Sequence, residues 1–483
     1  MTSDTAILKE AAPPCPLDFS RACLIARVFF VICVAAAFSI REHPISSFYL
    51  IRQDLPALVL MFVCLLVIRT KDKRIASTLD GVRGALRAAP AWAAVFGLIV
   101  VSVVGRYVVM EGHALSRDEH MALFDAAVFA NGKIAEPIAA EWRAFIRGFN
   151  TTFVTVLGES EAWISAYLPV NALFIAAAQT IGAQPLLNPA FAAIGLIATL
   201  RIASQLWPGE RGTAVAAALL YLTSTQMLAA SMTAYAMTGH LALNMAWLMF
   251  VLRGRAVDHA VALAIAFLAT GLHQIVFAPL FAGPFIALLL WKRRWAAASF
   301  HFIGYAAIGF FWMRYASTVE AVAGLAAARD AHPASALADT VAMLLSELSM
   351  ESLWLMGANL LRFFVWQNLL LAPLIVVAIA GAVRTRNPFL LACALCLIAT
   401  PIVAGVLLAF QGHGWGYRYM HGLIGVACLL GAAGWRSVVR DDAAMERALL
   451  FGSAASAVII TPFLLFKAHE FVAPYAAADR AVA

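Results

Sequence analysis

The sequence predicts an all-α polytopic membrane protein with about 13 transmembrane helices and further helices lying along its outer face. Three observations lead there. Of 483 residues, 63% are hydrophobic and only 13% charged, whereas soluble chains run about 45–50% apolar and about 25% charged. A water-soluble domain of this size could not hide so much apolar surface. The apolar residues also form long runs between short charged ones. A barrel strand would instead alternate polar and apolar positions over about ten residues.

Runs able to cross about 30 Å of hydrocarbon fall at 23–40, 55–68, 91–109, 188–206, 213–230, 235–252, 258–272, 275–291, 295–313, 362–383, 389–410, 419–435 and 449–466. The first contains Arg27 and is followed by Arg41-Glu42-His43, so it reads as an uncleaved anchor rather than a signal peptide. One further run, Tyr167–Ile181, is ambiguous. With the N-terminus in the cytoplasm and 167–181 not spanning, the cytoplasmic loops hold 17 Lys/Arg in about 54 residues, against 11 in the far longer opposite loops. Counting 167–181 as a span would move Lys292-Arg293-Arg294 outside, against that bias. The segment is therefore expected to lie in the outer interface or re-enter within protein. The chain then divides into 1–109 (three N-terminal transmembrane helices), 110–187 (an outer juxtamembrane loop), 188–313 (central transmembrane helices), 314–361 (a second outer loop) and 362–483 (C-terminal transmembrane helices).

The formal net charge of +7 reflects this topology. The basic residues sit between apolar runs, so nucleic acid is not the expected partner; the lipid bilayer is. Six of seven cysteines lie in or beside apolar runs, so no disulfide framework is expected. Arg362 is expected at the start of a span, where it could snorkel to the surface.

The outer loop at 110–187 carries eight acidic residues against four basic, with apolar and aromatic residues at helical spacing. Its sharpest element is Ser116-Arg117-Asp118-Glu119-His120. Ser116 and Glu119 have capping-box spacing, and Asn131-Gly132 is a helix stop, which predicts a helix over 117–130. Acidic residues in a first turn stabilise the helix dipole, which accounts for part of the pattern. The box occupies Glu119 and leaves Asp118 free to act as a general base. Asp125, seven residues on, shares its face. A divalent cation at Asp118 and Asp125 is the only cofactor left open.

Phosphate partners should be cationic or donor-rich and near the outer surface. His413-Gly414-Trp415-Gly416-Tyr417-Arg418 is the best local candidate, since its glycines let backbone approach closely. His240, just inside a span, and His273-Gln274, at an outer turn, are the other candidates. Each has a simpler reading, as an interface belt or as a histidine satisfied by a neighbouring helix.

The order of these elements resembles the GT-C membrane glycosyltransferases. It is most similar to bacterial relatives of the protein O-mannosyltransferases and the lipid A aminoarabinose transferases. The resemblance rests on Asp118-Glu119 after an N-terminal span, Phe124–Ile134, Tyr167-Leu168-Pro169, Asn188-Pro189 opening a span, Arg201 near its far end, and Arg418-Tyr419. It covers about 115–290, and the rest by topology. Departures are Leu168 in place of a first proline, Thr238-Gly239-His240 in place of Ser-His-Thr, and His273-Gln274 in place of Arg-Pro. The resemblance implies a GT-C-like fold in a bacterial inner membrane, with a periplasmic active site. It implies inverting transfer of a sugar from a polyprenyl-phosphate donor to an envelope glycan, lipid or protein. Asp118 would be the base and Glu119 its helper or only a cap, while Asp125, Tyr167, His240, His273, Gln274, His413, Tyr417 and Arg418 would bind substrate. No Gly-x-Gly-x-x-Gly or phosphate-binding loop for a nucleotide sugar is present. Competing readings are a transporter or flippase, or a polymerase or ligase, of lipid-linked saccharides.

Overall fold

A computed structural model describes residues 18–67, 73–148, 153–325, 349–407, 412, 414–440 and 442–482. Among these, eight helices are long and apolar enough to cross a membrane, and the chain is a multi-pass membrane protein. A further bent pair, Arg211–Leu222 and Thr225–Ser231, meets at 59° and is apolar enough to cross if the two are taken together. Three more of the expected 13 spans fall on shorter apolar helices. Ala256–Thr270, Phe277–Trp291 and Leu371–Thr385 are 15 residues each, against the roughly 20 that a perpendicular crossing needs.

The ambiguous segment forms Val170–Thr180, 11 residues long, about 16 Å and half the hydrocarbon thickness. Its Ala172, Ile175 and Ala176 pack on Ala126 of the helix Arg117–Ala130. The two helices thus bury their apolar stripes against each other.

The loop 110–187, expected from its spacing to form helices, is not purely helical. It holds a small antiparallel sheet in the order β1 (Glu136–Pro137), β3 (Ala162–Ser165), β2 (Val154–Leu157). Val156 pairs with Trp163, which also faces Glu136. Val154-Thr155-Val156 carries the β-branched signature of a strand, and Gly158 at φ 58° turns the hairpin. Leu157, Ala162 and Ile164 bury against Val319 of the helix Tyr315–Ala323, and Gly158 N–H donates to Glu320 at 3.2 Å. The two segments expected as outer loops therefore pack against one another. The amphipathic run at 337–348 lies outside the described residues.

The span expected at 362–383 is two helices, Met350–Val365 and Leu371–Thr385, broken at Trp366–Leu370. Arg362 does not snorkel. It is fully buried, and its Nε donates to Asp54 Oδ2 at 3.0 Å. A lone buried guanidinium would be prohibitively costly; Asp54, which also accepts from Trp366 Nε1, supplies its counter-charge.

At one end of the bundle, the expected cytoplasmic loop forms an amphipathic helix, Lys73–Ala88. It is pinned by Arg87–Glu446 at 2.6 Å and Arg447–Asp80 at 3.3 Å. From there a single 40-residue helical stretch runs from Ala443 to Val482, about 60 Å in length. It continues well past the expected end at 466. At the opposite end it is tied by Arg480–Glu111 at 2.7 Å. That tie places its tip beside the segment leading into Asp118.

Candidate active site

The site begins with the capped helix. Ser116 Oγ accepts from Glu119 N–H at 3.3 Å, and Glu119 Oε2 accepts from the N–H groups of Ser116 and Leu115 at 3.1 Å each. Glu119 Oε1 accepts from Ala234 N–H at 3.0 Å. Both oxygens of this buried carboxylate are thus engaged, and Glu119 ties the helix to the 232–236 turn. Burial pushes the Glu119 carboxyl above the ordinary glutamate range, against the pull of those backbone donors.

With Glu119 held, Asp118 points the other way. Its Oδ1 accepts from Tyr167 Oη at 2.6 Å and its Oδ2 from Arg418 Nη1 at 2.5 Å. Burial works to raise the Asp118 carboxyl, but the Arg418 charge and the Tyr167 hydroxyl win, and it lies below the usual aspartate range. Asp118 is an ionised, partnered carboxylate.

Arg418 arrives on a loop built by glycines. Gly412, Gly414 and Gly416 have φ of 84°, 145° and 74°, values that a side chain resists. Arg418 N–H donates to Gly412 O at 2.8 Å, closing the loop. Gln226 Nε2 donates to Tyr417 O at 2.8 Å, and a Cβ at Gly416 would collide with the Gln226 side chain. Gln226 is itself fixed by Gln367 Nε2 at 3.2 Å. The guanidinium of Arg418 then lies over the Tyr235 ring at 4.9 Å, a cation–π seat that adds to the ion pair.

His273 stacks on Tyr167 with ring centroids 4.1 Å apart and planes 20° apart. Leu168 N–H donates to His273 O at 3.1 Å, so the two segments travel together. Burial pushes the His273 imidazole down to about 4, so it is neutral near neutral pH. Neither ring nitrogen has a partner among the described residues. Asp125 accepts from Ser165 N–H at 3.0 Å, and burial raises its carboxyl to about 6.

Asp118, Asp125, Tyr167 and His273 line one small pocket. A second pocket on the other side of Arg418 is lined by His240, Asn244, Thr400 and Tyr419. The nitrogens of His240 are buried and unpartnered among the described residues. Asp118, Asp125, Tyr167 and His273 therefore share one pocket and His240 and Arg418 the other, and the Asp118–Arg418 pair joins the two. Gln274 is half-buried and lines neither pocket. Tyr417 contributes its carbonyl to Gln226, while its buried ring packs by Tyr419 at 5.8 Å. His413 lies outside the described residues. Among those residues, no group of three His, Cys, Asp or Glu is placed to hold a metal ion.

Sequence reasoning missed Gln226, Tyr235 and Asn244. A signal for Gln226 was present, since Thr223-Ser224-Thr225-Gln226 interrupts an apolar run. Ser224 caps the short helix that follows the bend, its Oγ accepting from Met227 N–H at 3.2 Å.

No protein-family model and no curated protein matches the chain. Among solved structures, the chain is similar to ArnT from Cupriavidus metallidurans in the apo state, with 13% identity and a TM-score of 0.37. It is also similar to the same protein bound to undecaprenyl phosphate, with 13% identity and a TM-score of 0.38. Each match covers 79% of this chain and 78% of the other. Likeness at this level carries no argument about activity, which rests on the geometry around Asp118 and Arg418.

Proposed function

We propose that this chain is a membrane glycosyltransferase that moves a sugar from a polyprenyl-phosphate donor to an envelope acceptor by inverting displacement. One observation carries the reading. Asp118, Tyr167, His273 and Arg418 come from four separate stretches of chain and converge at one end of a membrane bundle.

The chemistry needs a base and a phosphate clamp. In the resting state Arg418 neutralises Asp118. A donor phosphate offers the guanidinium oxyanions of higher charge, which suit its fork. As Arg418 turns to the phosphate, Asp118 loses its strongest partner and its carboxyl becomes more basic. It then accepts the proton of the acceptor hydroxyl while that oxygen attacks the anomeric carbon. The bond from anomeric carbon to phosphate oxygen breaks, and the lipid phosphate leaves with its charge held by Arg418. Neutral His273 can donate a hydrogen bond to that phosphate or to the sugar. Tyr167 holds Asp118 in place throughout. The sugar, the acceptor and the periplasmic orientation belong to this proposal.

The test is mass spectrometry of envelope glycolipids and glycans from a wild-type strain, a deletion strain and the complemented deletion. The reading predicts loss of one sugar mass in the deletion and its return on complementation. Accumulation of an intact lipid-linked saccharide would favour a flippase or polymerase instead.

A further inference from the structure

A third cavity, of about 750 Å³, opens between the helix Pro44–Leu66 and the C-terminal helix. It lies outside the pockets around Arg418. Its aromatic walls are Phe48, Phe471 and Tyr475, and its polar lining is Arg52, Gln53, Lys467 and Glu470.

Four features mark it as a binding site. First, Gln53 is 1% exposed, lines the cavity, and its Oε1 has no hydrogen-bond donor among the described residues. A buried carbonyl oxygen left without a donor is costly, and a ligand hydroxyl would satisfy it. Second, Arg52 and Gln53 sit on a π-helical turn, Leu50–Asp54. Such turns are uncommon and concentrate at functional positions. Third, Phe48, Phe471 and Tyr475 form a tiled aromatic wall, with Phe471 5.7 Å from each of the other two ring centroids. Flat ring faces of this kind cover the C–H face of a pyranose. Fourth, the charges are unequal. Lys467 is paired with Glu470 at 2.6 Å, whereas exposed Arg52 has no ion pair among the described residues. The cavity therefore carries one uncommitted positive charge.

Its position selects a lipid-anchored ligand. Lys467 lies about 36 Å along the helix from Ala443, which is just beyond one hydrocarbon thickness of about 30 Å. The groove thus begins just past the apolar run 449–466 and extends along the helix to Tyr475. It is at the same end as Asp118, because Arg480 and Asp479 on that helix reach Glu111 and His113. Phe471 also packs edge-on against Trp415 at 5.7 Å, three residues before Arg418.

We propose that this groove is the acceptor site and holds the anionic saccharide head of a membrane-anchored glycolipid. Gln53 Oε1 accepts from a sugar hydroxyl, Arg52 pairs with the acid group, and Phe471 and Tyr475 cover the ring. The word acceptor rests on the transferase reading above; the binding site does not.

The test is native mass spectrometry of the full-length protein with three probes: glucuronosyl diacylglycerol, glucosyl diacylglycerol and phosphatidylglycerol. The expected result is retention of the glucuronosyl lipid at least tenfold tighter than either other probe. Arg52→Ala, at an exposed position where folding is not at stake, and Gln53→Leu should each weaken it at least tenfold, and Asp118→Asn should not. Unchanged binding by both groove variants overturns the proposal. Equal retention of phosphatidylglycerol also overturns it and makes the groove an anionic phospholipid seat. If groove binding stands but Asp118→Asn still transfers sugar in cells, the transferase reading fails and the glycolipid site survives it.

Discussion

Asp118 and Arg418 lie 300 residues apart in the chain and meet in an ion pair, with both side chains more than four-fifths buried. Each is shaped by a local device of its own. A capping box aims Asp118 and a three-glycine loop aims Arg418. Removing one partner strands the other as an uncompensated, mostly buried charge.

Arg418→Ala should therefore change the pH dependence as well as the rate. Arg418 holds the Asp118 carboxyl below its ordinary range against burial. Without it, burial is opposed chiefly by the Tyr167 hydrogen bond and the carboxyl rises. The acid limb of the rate profile should move to higher pH, because Asp118 then protonates earlier as pH falls. A pH–rate series on reconstituted protein checks this, and an unmoved acid limb would separate Arg418 from Asp118. Arg418→Lys keeps the charge but loses the fork, so the donor KM should rise at least tenfold with a smaller effect on kcat.

Asp125 gives a stability prediction of opposite sign. Its carboxyl is raised to about 6 by burial, so the folded state holds a proton that the unfolded chain has released. Stability is then greatest below the unfolded value near 3.8 and falls as pH rises toward 6. The penalty at pH 7 is about 2–3 kcal/mol. Asp125→Asn keeps an acceptor for Ser165 N–H and removes the titration. Its melting temperature should exceed wild type at pH 7 and match it near pH 4. A variant less stable at pH 7 would refute the assignment.

Glu119 should behave as a structural residue. Glu119→Ala orphans the N–H groups of Leu115, Ser116 and Ala234, at a cost of about 2–4 kcal/mol. Loss of melting temperature and of folded protein in detergent is the expected outcome. Full stability with lost transfer would instead return Glu119 to the chemistry.

Gln226→Met preserves volume and removes the hydrogen bond to Tyr417 O. The loop carrying Arg418 then loses its anchor while packing is kept, so transfer should fall about tenfold with a melting temperature near wild type. A parallel drop in both would mean that Gln226 serves the bend alone.

How much of this was legible follows from where the information lies. The Asp118 helix was readable because a capping box is a three-residue spacing, and Asn131-Gly132 marks its end. The short helix at 170–180 was expected not to span from charge bias, and its 11 residues are too few to cross. The Arg362–Asp54 pair was not readable. Each residue alone looks like an interface charge, and only packing of the N-terminal hairpin on Met350–Val365 brings them together. The sheet was missed because Trp142 and Phe145 suggested helical spacing, while Val154-Thr155-Val156 is too short to stand out before its partner at 162–165 is known. The bend at 223–224 hid within an apolar run, and with it the seat of Gln226. Local motifs thus declared themselves, and pairings over hundreds of residues did not.

The most direct test of the central claim is complementation of the deletion strain with Asp118→Asn, read by mass spectrometry of the envelope with expression matched to wild type. Asparagine keeps the size of the side chain and an acceptor for Tyr167, but it cannot take the acceptor proton. The account predicts a folded, membrane-inserted protein that fails to restore the missing sugar. Full restoration by Asp118→Asn would contradict it and leave Asp118 as a charge on a helix cap.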